Sequence, residues 1–295
     1  MLQFRTMRGI GKIIVIGFIL AIAAFFYFYT RAIKPKVFVS SVPPTPSLVE
    51  GTWNSSPIDA YINKFLKSDG RFDFEAARSD PLSEAELDGY LAACALASPD
   101  SAPQRFPDST SVIAYWLRAH DAMSIKTVLR AWPIKSLLEV RAEFSVVEGS
   151  GYFRGISFPL GGKGTTIHGL LTQVLPRVTK DPRVILAMGG PARFVLPYST
   201  NVPTGTAQND WLNERVARFF DEEDRLVVRG NEVGIAAWVF WREEWFIGVA
   251  PPQTEATEDR LVAALATLAP PAARRAFVAG PNRTYRPLPA DFRVR

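Results

Sequence analysis

The chain has 295 residues, is 47% hydrophobic and carries a formal net charge of +5 at pH 7, a size that suits one large domain or two small ones. Six of the 34 Lys and Arg residues lie in residues 1–36, which contain no acid, so the remainder is close to neutral and offers no basic face for nucleic acid. A single cysteine, Cys94, and two histidines exclude an intrachain disulfide and a structural zinc centre of the Cys/His kind.

Residues 1–12 read as a basic N-terminal tail. Residues 13–29, IIVIGFILAIAAFFYFY, are 17 uncharged, mostly apolar positions, the lower limit for a helix that crosses a bilayer. Their trailing aromatic residues suit a membrane interface. The stretch therefore predicts a transmembrane signal anchor held in the lipid bilayer, with a cleaved signal peptide ending near Ala21-Ile22-Ala23 as the competing reading. Basic residues flank the span evenly. The short tail places the N-terminus in the cytoplasm and the domain on the periplasmic, or otherwise extracytoplasmic, side of an inner membrane. A protein partner in the cell envelope is then expected.

Residues 30–57 are rich in Pro and Ser and read as a linker, with residues 58–295 as the globular domain. Helical spacing runs through Ile58–Lys67. Leu82–Ala97 predicts a helix opened by a Ser83/Glu86 capping box, and Ser111–Ala131 another, with Val112, Tyr115, Trp116, Ala119, Ala122 and Met123 inward. Phe144–Val147 and Tyr152–Phe158 read as a hairpin turned at Glu148–Gly151. Thr165–Val178 predicts a helix, Val184–Met188 a short buried strand, and Thr206–Phe220 a helix. Arg225–Val228 and Glu232–Ala237 read as a hairpin. Glu255–Leu268 predicts a last helix, stopped by Pro270-Pro271. Helices and strands are segregated rather than alternating, so the expected class is α+β: an N-terminal transmembrane helix followed by one mixed domain of helices and antiparallel strands.

The stretch GGKGTTIHGLL (161–171) looks like a phosphate-binding loop entering a helix. It departs from G-x-x-x-x-G-K-[ST]: Ser157 stands where the first glycine belongs, and Gly164 follows Lys163 where a hydroxyl would hold magnesium. The glycines read better as a turn, with Thr165 or Thr166 capping the next helix. His168 in the first helical turn is then expected to be neutral, and so able to act as a base. No motif assigns a cofactor or a metal, although counts alone leave a carboxylate site for a hard cation open.

Five stretches in order, 68–95, 111–137, 161–177, 180–198 and 226–246, with a faint sixth at 286–294, resemble the domain-of-unknown-function family number 547. The most telling are SVIAYWLRAHDAMSIKTVLRAWPIKSL, GGKGTTIHGLLTQVLPR and KDPRVILAMGGPARFVLPY. The resemblance implies a polar cluster of two Asn on a helix, a Glu-His pair, a strand His and a following Cys. In this chain those positions hold Arg118 and Asp121, Ile167 and His168, Ile185, and Gly190, while a second Cys falls near Val195. Only the His is kept. A Cys–His nucleophile pair is therefore absent, and the family implies no established reaction.

The sequence leaves two functions. One is a degenerate, non-catalytic binding or scaffolding protein, with Arg118, His120 and Gly190 at its binding pocket. The other is a hydrolase or transferase that uses His168 with Asp121 and no cysteine. Convergence of His168 and Asp121 in an open cleft is the feature that separates them.

Overall fold

A computed structural model describes residues 17–24, 35–142, 148–246, 248, 250, 257–277 and 283–295. It is a mixed helix and strand fold with more helix than strand. The helices, in chain order, are α1 (Ser56–Phe65), α2 (Phe74–Ser79), α3 (Ser83–Leu96), α4 (Ser109–Ala131), α5 (Ser150–Arg154), α6, α7 (Arg183–Ala187), α8 (Ala207–Asp221), α9 (Ala237–Phe240), α10 (Thr257–Leu268) and α11 (Pro271–Arg274). Helix α6 is one run of three pieces: Ile167–Gly169, a π-helical Leu170–Val174, and Leu175–Val178.

The expected transmembrane anchor is overturned. Among the described residues no helix is long and apolar enough to cross a membrane. Of the stretch 13–29 only 17–24 is described, as an exposed helix of eight residues. The signal-anchor, inner-membrane and periplasmic readings, which rested on that span, fall with it. The basic tail, 1–12, lies outside the described residues.

The expected antiparallel sheets are also corrected. Strand β1 (Lys36–Val37) pairs in parallel with β2 (Ile156–Leu160), and β2 pairs antiparallel with β3 (Lys163–Thr165). In the second sheet β4 (Leu226–Arg229) and β5 (Glu232–Ala236) form the expected hairpin, and β6 (Thr284–Leu288) adds to β5 in parallel. Both sheets are therefore mixed. The hairpin expected around 148–151 does not form: Ser150–Arg154 is helical, and Phe144–Val147 lies outside the described residues. The true hairpin turns one element later, at Gly161 and Gly162, whose φ values of +57° and +80° suit glycine.

Helix α4 is the central element. Every residue from Ala114 to Leu129 is buried, so neither the one-sided inward stripe nor a solvent face exists there. Asp108 opens it: its carboxylate accepts from the Ser111 amide at 2.8 Å, and the Ser111 hydroxyl returns to the Asp108 amide at 3.3 Å, a capping box. The box expected on α3 is absent. The Ser83 hydroxyl instead meets Tyr61 Oη at 2.8 Å, and Asp80 accepts from the Leu82 and Ser83 amides.

Residues 36–57, expected as linker, pack on the domain. Phe38, Leu48 and Trp53 are buried, and Trp53 meets Tyr90, Phe106 and Tyr115 with ring centroids 5.9, 5.9 and 4.9 Å away. Arg105 ties this segment down by donating to the carbonyls of Leu48 and Gly51, each at 2.7 Å.

Candidate functional site

Arg118, His120 and Asp121 follow one another on α4, at the centre of the core. Arg118 is fully buried and bridges two elements. Its Nη1 lies 2.8 Å from Asp121 Oδ2, and its Nη2 pairs with Asp59 on α1. Nη1 also donates to the Ser199 carbonyl at 3.1 Å. Arg118 therefore neutralises two carboxylates and serves the scaffold rather than a ligand. Burial still raises the Asp59 carboxyl above its usual value, against the opposing pull of Arg118.

His120 has a different outlook. Its Nδ1 is 3.5 Å from Asp121 Oδ1, too long for a good hydrogen bond, and it has no other partner among the described residues. The ring forms part of the wall of a cavity of about 80 Å³, together with Ile185, Met188, Gly190, Tyr152, Trp238 and Arg242. The remaining lining is almost wholly apolar, with Phe153, Leu171 and Trp241 among it. Helix α7 supplies one side. Its run Val184–Met188 was expected as a strand, but the helix opens at Arg183, straight after Asp181-Pro182, and the Asp181 carboxylate accepts from the Arg183 amide at 2.9 Å.

Gly190 belongs to a loop folded back on itself. Its amide donates to the Leu196 carbonyl at 2.9 Å, and a Cβ at 190 would lie 2.7 Å from Val195 Cγ2. Two buried arginines on neighbouring elements hold this loop by its carbonyls. Arg215 donates to Ala187 at 2.9 Å and Pro197 at 2.7 Å, and Arg225 donates to Val195 at 2.5 Å. Burial pushes the Arg215 guanidinium down to about 10, which leaves it charged at neutral pH.

His168 is not at this cavity, and it does not meet Asp121. Thr166 caps α6, accepting from the Gly169 amide at 3.0 Å. His168 Nε2 stands 2.9 Å from Arg154 Nη2. Arginine can only donate, so Nε2 accepts and the proton of the neutral ring sits on Nδ1. Burial, then the charges of Arg154 and Arg242, lower its pKa. His168 lines a second, open pocket of about 420 Å³, with Arg154, Lys163 and Arg177.

The candidate residues thus separate into two groups. His120 and Gly190 share the apolar cavity. Arg118 and Asp121 are a buried ion pair outside its lining, and His168 lies in the other pocket. Among the described residues the cavity wall contains no serine, threonine, cysteine or lysine. Cys94 is buried in α3, where loss of water pushes its thiol up to about 12, so it is unreactive at neutral pH. Among the described residues no three His, Cys, Asp or Glu side chains gather as a metal site. The sequence reading missed Tyr152 and Arg154, because it took 152–158 as a strand. No sequence pattern connects Trp238 and Trp241 with His120, whose cavity they line.

No family model matches the chain, and no curated protein or solved structure matches it.

Proposed function

We propose that the chain is a non-catalytic binding protein whose cavity at His120 and Gly190 takes a small, mainly apolar ligand. The observation that carries this is the wall itself: aromatic and aliphatic side chains around one imidazole and one guanidinium, those of His120 and Arg242, with no serine, threonine, cysteine or lysine among the described lining. Ligand sites are commonly apolar concavities with a few placed polar groups. A ligand ring or branched chain would lie against Trp238, Trp241 and Tyr152, and one polar atom would meet the His120 imidazole. The hydrolase or transferase alternative finds no support in this geometry, because His168 faces an arginine and Asp121 is neutralised by another.

We also propose that the chain is a divergent relative of the domain-of-unknown-function family number 547. Ile185 and Gly190, which stand where that family carries its strand His and its Cys, line the same cavity as His120. That convergence supports the relationship, and the substitutions have turned a polar cluster into an apolar hollow.

The test is a titration of tryptophan emission with small aromatic ligands, indole and phenol first. Saturable change is expected for the native chain, with affinity reduced about tenfold, or ~1.4 kcal/mol, in Leu171→Phe, which fills the cavity. Emission that never saturates, or that responds alike in both proteins, rules the reading out.

A further inference from the structure

The second pocket has a composition unlike the first. It lies where strand β3 runs into the start of α6, and its volume is about 420 Å³. Arg154, Lys163, His168 and Arg177 line it from four places in the chain: the end of α5, strand β3, and the first and last turns of α6. Ser157, Thr165 and Thr166 add hydroxyls, and Gln173 adds an amide. No Asp or Glu lines it among the described residues.

The partners of these groups point the same way. Arg177 is paired at 2.5 Å with Asp100, which is not part of the lining. Arg154 and Lys163 have no carboxylate partner among the described residues, and Arg154 donates instead to the neutral His168 ring. Cations gathered in a concave site without an acid leave a positive potential that an anion would relieve. Guanidinium groups and hydroxyls are also the donors that oxyanions use best. The Thr166 hydroxyl already occupies the Gly169 amide at the start of α6, which leaves recognition to the side chains.

From this geometry we infer that the pocket is an anion site for a soluble phosphate monoester of small-molecule size. The phosphate oxygens accept from Arg154, Lys163 and Arg177, and the ester group extends toward Ser157 and Gln173. Recognition is by side chains on four segments and not by the backbone of a nucleotide-binding loop, so the failed Walker pattern of GGKG is no objection. The site has its own lining, distinct from that of the apolar cavity, although Arg242 of that cavity acts on His168 through its charge. The charged groups facing His168 are Arg154, Lys163, Arg177 and Arg242; a bound dianion would offset them and raise the histidine's affinity for a proton.

The full chain would be titrated by calorimetry with inorganic phosphate and with glucose 6-phosphate, at constant ionic strength set by chloride. One-to-one saturation is expected. Affinity should fall about tenfold in Arg154→Gln and in Lys163→Gln, and stay unchanged in Leu171→Phe. Both basic residues are exposed, so these variants should keep the native circular dichroism. Proton NMR of the His168 ring should show its titration midpoint rising when phosphate is present. The inference is overturned if phosphate binds no better than chloride, if the two Gln variants bind as the native chain does, or if the midpoint is unmoved. Binding to phosphatidylcholine vesicles doped with phosphatidic acid, with none to either soluble phosphate, would overturn it as well.

Discussion

Arg118 shows how a single side chain can determine what its neighbours are free to do. Asp59 and Asp121 are both drawn into the core, and one fully buried guanidinium answers both. Removing one partner of a buried ion pair leaves an uncompensated charge, at a cost of about 3–5 kcal/mol. Arg118→Met should therefore lose stability of that order in urea denaturation, while Arg118→Met with Asp121→Leu should recover part of it. If the single variant is as stable as the native chain, the pair is not what holds α1 to α4. The sequence made Arg118 and Asp121 visible as unusual polar positions in an apolar helix. It could not reveal Asp59, because nothing periodic connects position 59 with position 118. For the same reason His168 and Asp121 looked like partners: both are chemically suitable, and only distance shows that His168 instead meets Arg154.

At the scale of elements, the helices with strong local signals were legible. Helices α1, α3, α4, α8 and α10 lie close to where apolar spacing puts them. Strand and turn assignments were less so, since a short apolar run can belong to either state. Val184–Met188 was read as a strand, yet Asp181 nucleates a helical turn at its start. The glycines at 149–151 were read as the hairpin turn and those at 161–162 as a turn leading into the next helix, yet tertiary pairing puts the hairpin at 161–162. Gly149 opens α5 with a φ of +71° instead. The turn at Gly162 offers a clean measurement. Its φ is +80° and a Cβ there meets nothing within 4 Å, so Gly162→Ala carries only the conformational penalty of a left-handed residue, about 1–2 kcal/mol. Thermal unfolding should register that loss with the fold unchanged. No loss would mean that the turn relaxes to another type.

At the scale of the whole molecule, the segment before α1 is part of the structure it precedes. A Pro- and Ser-rich composition suggested a linker, but composition averages out the few residues that matter. Phe38, Leu48 and Trp53 are spaced too irregularly to give a periodic signal, and each is buried. Trp53 sits among rings from α3, α4 and the chain between them. Truncating a buried tryptophan costs about 3–5 kcal/mol, so Trp53→Ala should unfold at markedly lower denaturant, and proteases should then cut between residues 38 and 53. A variant as stable as the native chain would restore the linker reading. The membrane expectation failed on a related point. Hydropathy marked residues 13–29, but among the described residues no helix is long and apolar enough to cross a membrane.

The last residues of the chain are bound to the wall of the apolar cavity. Arg295 donates from its backbone amide to Pro191 at 2.8 Å and from its side chain to Val195, and Arg193 donates to the Arg293 carbonyl at 3.1 Å. Those bonds close the same loop that carries Gly190. A pull on residues 291–295 would therefore be shared between the cavity wall and the segment 135–137 that follows the central helix, to which Val294 and Phe292 are bonded. In mechanical terms the cavity and this end of the chain act as a gauge and its lever: an occupant that stiffens the loop should raise the force at which residues 291–295 peel away.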